Sequence, residues 1–314
     1  SLNEEAFKML NYTRSVAIIA ALVIAAPSSV WAQQSRTLET VATIPSNGFN
    51  ENLFQTSDGT IYVTGAFEGN LWKISPSGAV EKFASFPDHA TILGIAHIND
   101  IFVLGAHKRT FQTAAGVDFS NLGSEVLVLD KNGKITATVP GNNNDVFNGM
   151  TLDGHGNVLI TDSLAGSIWR FDPVSKKLSL WAKDDALSSP STASLGANGI
   201  KVVDNWVYVA NKAQLAVYRV RMNANGDVEG PFMLVADGLP GADDFAVAPD
   251  GTIYMPPAEQ GAALIRISSN GEVDEFLESA PFGSSAIVSA DGKWLYWATG
   301  REPKEQRLVR IALP

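Results

Sequence analysis

Beyond residue 35 the chain runs in short stretches that alternate apolar and polar residues, punctuated by Asp-Gly, Asn-Gly and Ser-Gly pairs. A period of two predicts half-buried strands, and the glycine-bearing pairs predict the tight turns between them. The pattern repeats. Aligned on Phe147 to Ser163, it recurs at five other places, and the column holding Asn148 reads Glu51, Leu93, Asn148, Asn198, Asp243 and Ser284. Gly59, Gly156, Gly251 and Gly292 each lie eight residues after their column residue, where a first strand should turn into a second.

Second strands follow at once, as in Thr60 to Thr64, Asn157 to Thr161 and Trp294 to Ala298, rich in β-branched and aromatic residues. Third strands repeat more sharply: Leu71-Trp72-Lys73-Ile74, Ile168-Trp169-Arg170-Phe171 and Leu264-Ile265-Arg266-Ile267 all set a basic residue between apolar neighbours. The column formed by Arg170, Arg219, Arg266 and Arg310 is expected to pair between units. A weaker fourth strand follows a turn. The sixth unit stops after its third strand, whereas Leu38 to Ile44 has fourth-strand character. These ends predict closure: an all-β fold, a six-bladed β-propeller of four-stranded antiparallel blades, spanning residues 35–314 and closed by the N-terminal strand. A pair of β-sandwiches is the alternative.

The N-terminus departs from the pattern. Arg14 precedes the apolar run Val16 to Ala26, which is too short for a bilayer, and Val30 and Ala32 follow it. Residues 1–32 therefore read as a secretory signal with a leader extension, cleaved before Gln33, and the mature chain as secreted or periplasmic and free of the membrane. Composition adds exclusions. A net charge of −10 without clustered Lys or Arg argues against nucleic acid, and the lack of cysteine removes disulfides, thiolate metal sites and a cysteine nucleophile. A monomer acting on a small molecule is expected.

In a propeller the first strands line a central channel, so the column residues converge at its mouth. Glu51, Asn148, Asn198 and Asp243 supply two carboxylates and two amide oxygens. This hard, oxygen-only set suits Ca²⁺ or another divalent cation, whereas zinc favours the His and Cys that the column lacks. Turn chemistry is the competing explanation for Asn-Gly and Asp-Asp, but it does not account for Glu51. Between Asp243 and Asp244 the spacing to Gly251 favours Asp243 as the inward residue. His89, His97, His107 and His155 show no ligand spacing, and no nucleophile elbow or phosphate-cradling loop appears.

The column, with Glu in unit one, Asn in units three and four and Asp in unit five, resembles the SMP-30/gluconolactonase family and its diisopropylfluorophosphatase-like relatives. The resemblance implies a catalytic divalent cation, usually calcium. It makes Glu51, Asn198 and Asp243 its ligands, Asn148 a ligand or a substrate-orienting residue, and Asp243 the general base or nucleophile. Departures are local. The family's Glu-Gly-Pro reads Glu51-Asn52-Leu53, its Asp-Gly reads Asp243-Asp244, and the Arg that sugar-lactone members carry before the unit-three Asn is replaced by Val146-Phe147. With Phe49, Phe147 and Phe245 beside column residues, the expected substrate is a bulky apolar lactone or ester. A non-hydrolytic propeller, either a ligand-binding module or a cyclase resembling strictosidine synthase-like or pericyclase-like members, is the alternative.

Overall fold

Six four-stranded antiparallel sheets account for the repeats in this computed structural model. It describes residues 36–191, 194–259, 261–299 and 306–314, and the expected secretory segment lies outside them. Blade one consists of Phe49–Gln55, Ile61–Ala66, Asn70–Ile74 and Val80–Ser85. The first strands of the other blades are Thr91–Ile98, Phe147–Leu152, Ala197–Val203, Ala246–Val247 and Gly283–Val288. Each first strand neighbours the next, and that of blade six meets that of blade one, so the six ring a central channel.

Closure follows the expected route. Glu39–Thr43 pairs antiparallel with Arg307–Ala312 and completes blade six, with Glu39 opposite Arg310. Their side chains form an ion pair at 2.7 Å. The sheet edge that an open chain would present is thereby covered.

A hydrophobic cluster fills each gap between adjacent blades. Tyr62, Leu71, Phe102 and Leu127 lie between blades one and two, and Phe147, Met150, Val158 and Phe171 between blades two and three. Tyr208, Phe245, Met255 and Ile267 lie between blades four and five. Such side chains contribute about 1.5–3 kcal/mol each when fully buried, so the inter-blade seams carry most of the fold's stability.

The column residues occupy a shared irregularity. Strand register shifts between Asn50 and Leu53, Ile92 and Ile95, Phe147 and Met150, Ala197 and Ile200, and Gly283 and Ala286. Glu51, Leu93, Asn148, Asn198 and Ser284 therefore stand in bulges, which free a side chain from the ladder and re-aim it. In blade five, Asp243 and Asp244 come just before the first strand. Backbones of successive bulges pack closely: a Cβ on Gly149 would lie 2.4 Å from the Asn198 carbonyl oxygen. This packing explains the Asn-Gly pair independently of turn formation. Thr161 Oγ1 donates to the Asn198 carbonyl at 2.5 Å, and Gly199 N to the Asp243 carbonyl at 3.0 Å, carrying the lock from blade to blade.

The basic column of the third strands differs from expectation. Arg170 does reach the next blade, at Asp227. Arg266 and Arg310 instead pair within their own blades, with Asp274 and Glu39, and Arg219 lies over Trp206 of its own blade, 4.6 Å from guanidinium carbon to ring centroid. The fourth strand lies beside the third, so its carboxylates are the nearer partners.

Candidate active site at the channel mouth

A cavity of about 430 Å³ opens where the bulges converge. Glu51, Leu93, Asn148 and Asp243 line it, together with Phe49, Phe67, Phe111, Leu195 and Lys212. Asn198 stands directly behind, its Nδ2 donating to Asp243 Oδ1 at 2.5 Å. The four expected ligand residues are thus brought together, and all four are buried.

The two aspartates have different surroundings. Asp243 faces the cavity, its Oδ1 held by Asn198 and its Oδ2 by the Lys212 ammonium. Asp244 is taken up elsewhere: Lys201 Nζ donates to Oδ1 at 2.5 Å and Ser285 Oγ to Oδ2 at 2.6 Å. Asp243 is the cavity carboxylate. In the adjoining blade six, Ser284 Oγ donates to the carbonyls of Asn50 (2.8 Å) and Glu51 (2.9 Å), so the sixth column residue fixes the backbone of the first.

Electrostatics mark this cluster as rich in negative charge. Burial, and then the Asp243 charge beside it, pushes the Glu51 carboxyl well above its ordinary range, and Lys212 only partly opposes them. Asn148 Oδ1 and Asn198 Oδ1 are buried and meet no donor among the described residues. An unpaired buried carbonyl oxygen is costly unless something positive completes it. Two such oxygens beside two carboxylates match the hard donor set of a divalent cation. Among the described residues no three His, Cys, Asp or Glu side chains stand together for a metal, so a cation here depends on the amides.

Phe147 and Phe245 correct the expected substrate surface. Both are fully buried in inter-blade cores and neither lines the cavity. Phe147 adjoins Asn148, and neighbours along a strand point to opposite sides, which directs it into the seam; Phe245 lies next to Asp244, ahead of its first strand, and packs between blades four and five. Only Phe49 of the three faces the cavity.

The rest of the apolar wall comes from residues outside the repeat. The segment between Ile101–His107 and Ser124–Leu129 carries a small hairpin, Gln112–Thr113 with Gly116–Val117. Antiparallel topology places the connection from second to third strand on the same face as the column. Its Phe111, Phe119 and Leu122 form a seventh cluster with Ala66, Leu93 and Val146. Aromatic contacts run from Phe282 through Phe49 and Phe67 to Phe111 and Phe119, with centroids 5.1–6.2 Å apart. Phe67 adopts φ 65, a conformation costly for a bulky side chain. Glu68 braces that turn by accepting from Ser46 Oγ and Gly48 N.

Phe67 and Lys212 share a position that the column alone did not flag: each directly follows the second strand of its blade. Lys212 is held there by its N–H on the Gly196 carbonyl, while Asn211 Nδ2 ties back to the carbonyls of Ala186 and Ser188 at 2.9 Å. Asp162, which ends the second strand of blade three as Asn211 ends that of blade four, accepts from the N–H groups of Val146, Leu164 and Ala165.

Comparison with solved structures agrees with this architecture. A gluconolactonase from Xanthomonas campestris superposes with a TM-score of 0.65 at 14% identity, covering 90% of each chain. Regucalcin from Agrobacterium tumefaciens, described as a calcium-binding protein, gives 0.64 at 15% identity over 88% of this chain and 93% of its own. This is the fold of gluconolactonase and regucalcin. Virginiamycin B lyase from Staphylococcus aureus is also similar, with a TM-score of 0.59 and 11% identity over 89% of this chain and 100% of its own. No family model and no curated protein matches the sequence.

Proposed function

We propose that the protein is an exported, cation-dependent hydrolase of apolar lactones or esters, acting as a monomer at the mouth of its channel. The observation that carries this reading is the pair of buried amide oxygens left without donors, Asn148 Oδ1 on a residue that lines the cavity with Glu51 and Asp243, and Asn198 Oδ1 on the residue whose Nδ2 bonds Asp243. The same fold in a gluconolactonase and in a calcium-binding regucalcin supports it. Export rests on the apolar run Val16 to Ala26 and its flanks.

Glu51, Asn148, Asn198 and Asp243 would hold the ion, with Ca²⁺ the best match to all-oxygen donors. When bound, the cation supplies Lewis-acid polarisation of the scissile carbonyl. Asp243 accepts the proton of the attacking water as the water oxygen bonds to the carbonyl carbon. The bond to the leaving oxygen then breaks, and that oxygen takes the proton back. Phe49, Phe67 and Phe111 seat the apolar part of the substrate and exclude water. A lone sugar ring would leave this wall unused.

The test is calorimetric titration of chelator-treated protein with Ca²⁺, beside Asp243→Asn, followed by a screen of apolar and sugar lactones. Binding near one ion per chain that is lost in the variant, with turnover of apolar substrates, is the expected result. At a hundredfold excess over its dissociation constant the ion should add about 2.7 kcal/mol to stability. Rapid turnover of glucono-lactone would overturn the apolar assignment. A second reading, a non-hydrolytic ligand-binding propeller, is favoured by one observation: Lys212 already sits on Asp243.

A further inference from the structure

Lys212 has no counterpart in the column that defines the site, yet its ammonium forms an ion pair with the site's cavity-facing aspartate. Asn198 Nδ2 donates to one oxygen of Asp243 and Lys212 Nζ to the other, so both oxygens already have partners. The lysine reaches in from the rim: its side chain is 39% exposed, whereas that of Asp243 is 5% exposed. Its backbone is anchored by the Gly196 carbonyl, and the preceding Asn211 is tied to the Asp185–Leu187 turn. The ammonium is therefore delivered to Asp243 by a braced support.

Charge counting gives this contact a consequence. Asp244 and Lys201 neutralise one another at 2.5 Å and drop out of the balance. With Glu51 and Asp243 both ionised, as ligands to an ion would be, they bring two negative charges and Lys212 one positive, which leaves a single negative charge for that ion. Without the lysine, a divalent cation would be balanced by the two carboxylates. With it, the loaded site carries one positive charge in excess, and the ion must share Asp243 with an ammonium. Like charges held at one carboxylate repel strongly in a partly buried setting.

We propose that Lys212 is a tethered competitor for the cation site: its ammonium occupies Asp243 in place of part of a divalent ion's charge and lowers the affinity of the site for that ion. This inference rests on the cation site proposed above. It makes Lys212 a residue that sets how much free cation the protein needs, and it leaves the loaded site favouring ligands that bring an anionic oxygen.

The experiment is Ca²⁺ titration by calorimetry at one fixed pH on four proteins: wild type, Lys212→Met, Lys212→Arg and Asp243→Asn. Lys212→Met keeps the aliphatic stem and removes the charge, and Lys212→Arg keeps the charge. The expected result is about 10- to 100-fold tighter binding by Lys212→Met and affinity near wild type for Lys212→Arg. A merely structural role for the lysine would weaken binding when it is removed. Binding by Lys212→Met alone, with none by wild type, also supports the competitor role and identifies the ammonium as the native occupant, which removes cation dependence from the native activity. Wild-type binding that is lost in Asp243→Asn but unchanged or weakened in Lys212→Met overturns the inference and leaves the cation site standing. Absence of binding in both wild type and Lys212→Met overturns both.

Discussion

The floor and the roof of the cavity are made by different means. The floor is charged, buried and built from one position of a sixfold repeat, where successive bulges lock backbone to backbone through Gly149 and Gly199. The roof is aromatic and built from what the repeat lacks: the hairpin segment carrying Phe111 and Phe119, and the strained Phe67 turn. A repeat brings equivalent atoms to a common centre, which suits a site that needs several ligands around one point. An insertion has no such constraint and is free to set the shape of what enters. Chemistry and selectivity should therefore respond to separate substitutions.

The largest effect is expected at the floor. Asp243→Asn should lower kcat/KM on apolar esters by about 10²–10⁴-fold, measured by steady-state kinetics, while the apolar wall and its contribution to KM persist. A loss confined to KM would break the division between floor and roof.

Next comes the stem of the roof. His107 and Ser124, the residues that flank the inserted segment, are joined at 2.9 Å, and burial depresses the His107 imidazole to about 4. The unfolded chain then binds more protons than the folded one between about pH 4 and 6.5. Stability should therefore fall by about 3 kcal/mol as pH drops through that window and be level above it. Asp145, whose carbonyl accepts from Ser124, works in the opposite direction. Burial, reinforced by the Asp162 charge beside it, pushes its carboxyl up to about 6, so its contribution falls as pH rises from 3.8 towards 6. His107→Gln should remove the His107 slope and leave the reversed slope to which Asp145 and Glu51 both contribute, readable from urea unfolding at pH 4.5 and 7.

A smaller change is expected at the roof proper. Phe111→Ala should raise KM for apolar substrates about 10- to 100-fold with kcat little changed and Ca²⁺ affinity untouched in calorimetry. Smallest of all, Lys73→Ala removes an exposed within-blade pair with Glu81 and should shift stability by less than about 1 kcal/mol. It serves as the surface reference for the other three.

The same contrast explains what could be read in advance. Strand order, ring closure through Glu39–Thr43 and the convergence of Glu51, Asn148, Asn198 and Asp243 all follow from periodicity, which alternation and turn residues display directly. The roof has no period: nothing in Phe111 or Phe119 distinguishes them from core phenylalanines until the insertion is placed over the cavity. Phe147 was misdirected by adjacency, because along a strand the neighbour of a channel-facing residue faces the seam, and Phe245 by lying near Asp243 yet ahead of its strand, where it packs between blades four and five. Lys212 stood out little for a similar reason. It occupies a second ring, the residues just after each second strand, whose members vary too much in chemistry to stand out as a column.

The ring closure also dictates an order of events. Glu39 must wait for Arg310, 271 residues away along the chain, before blade six exists. The partner of Glu39–Thr43 is the last strand of the six blades to be made, so no earlier intermediate can be a sealed ring. Contacts of such long span slow folding, because the chain entropy of closing the largest loop is lost before the last seam is gained. The first strand thus acts as a latch that engages only on a whole molecule, and a chain truncated anywhere before Arg307 should expose an unpaired edge and be drawn into aggregates.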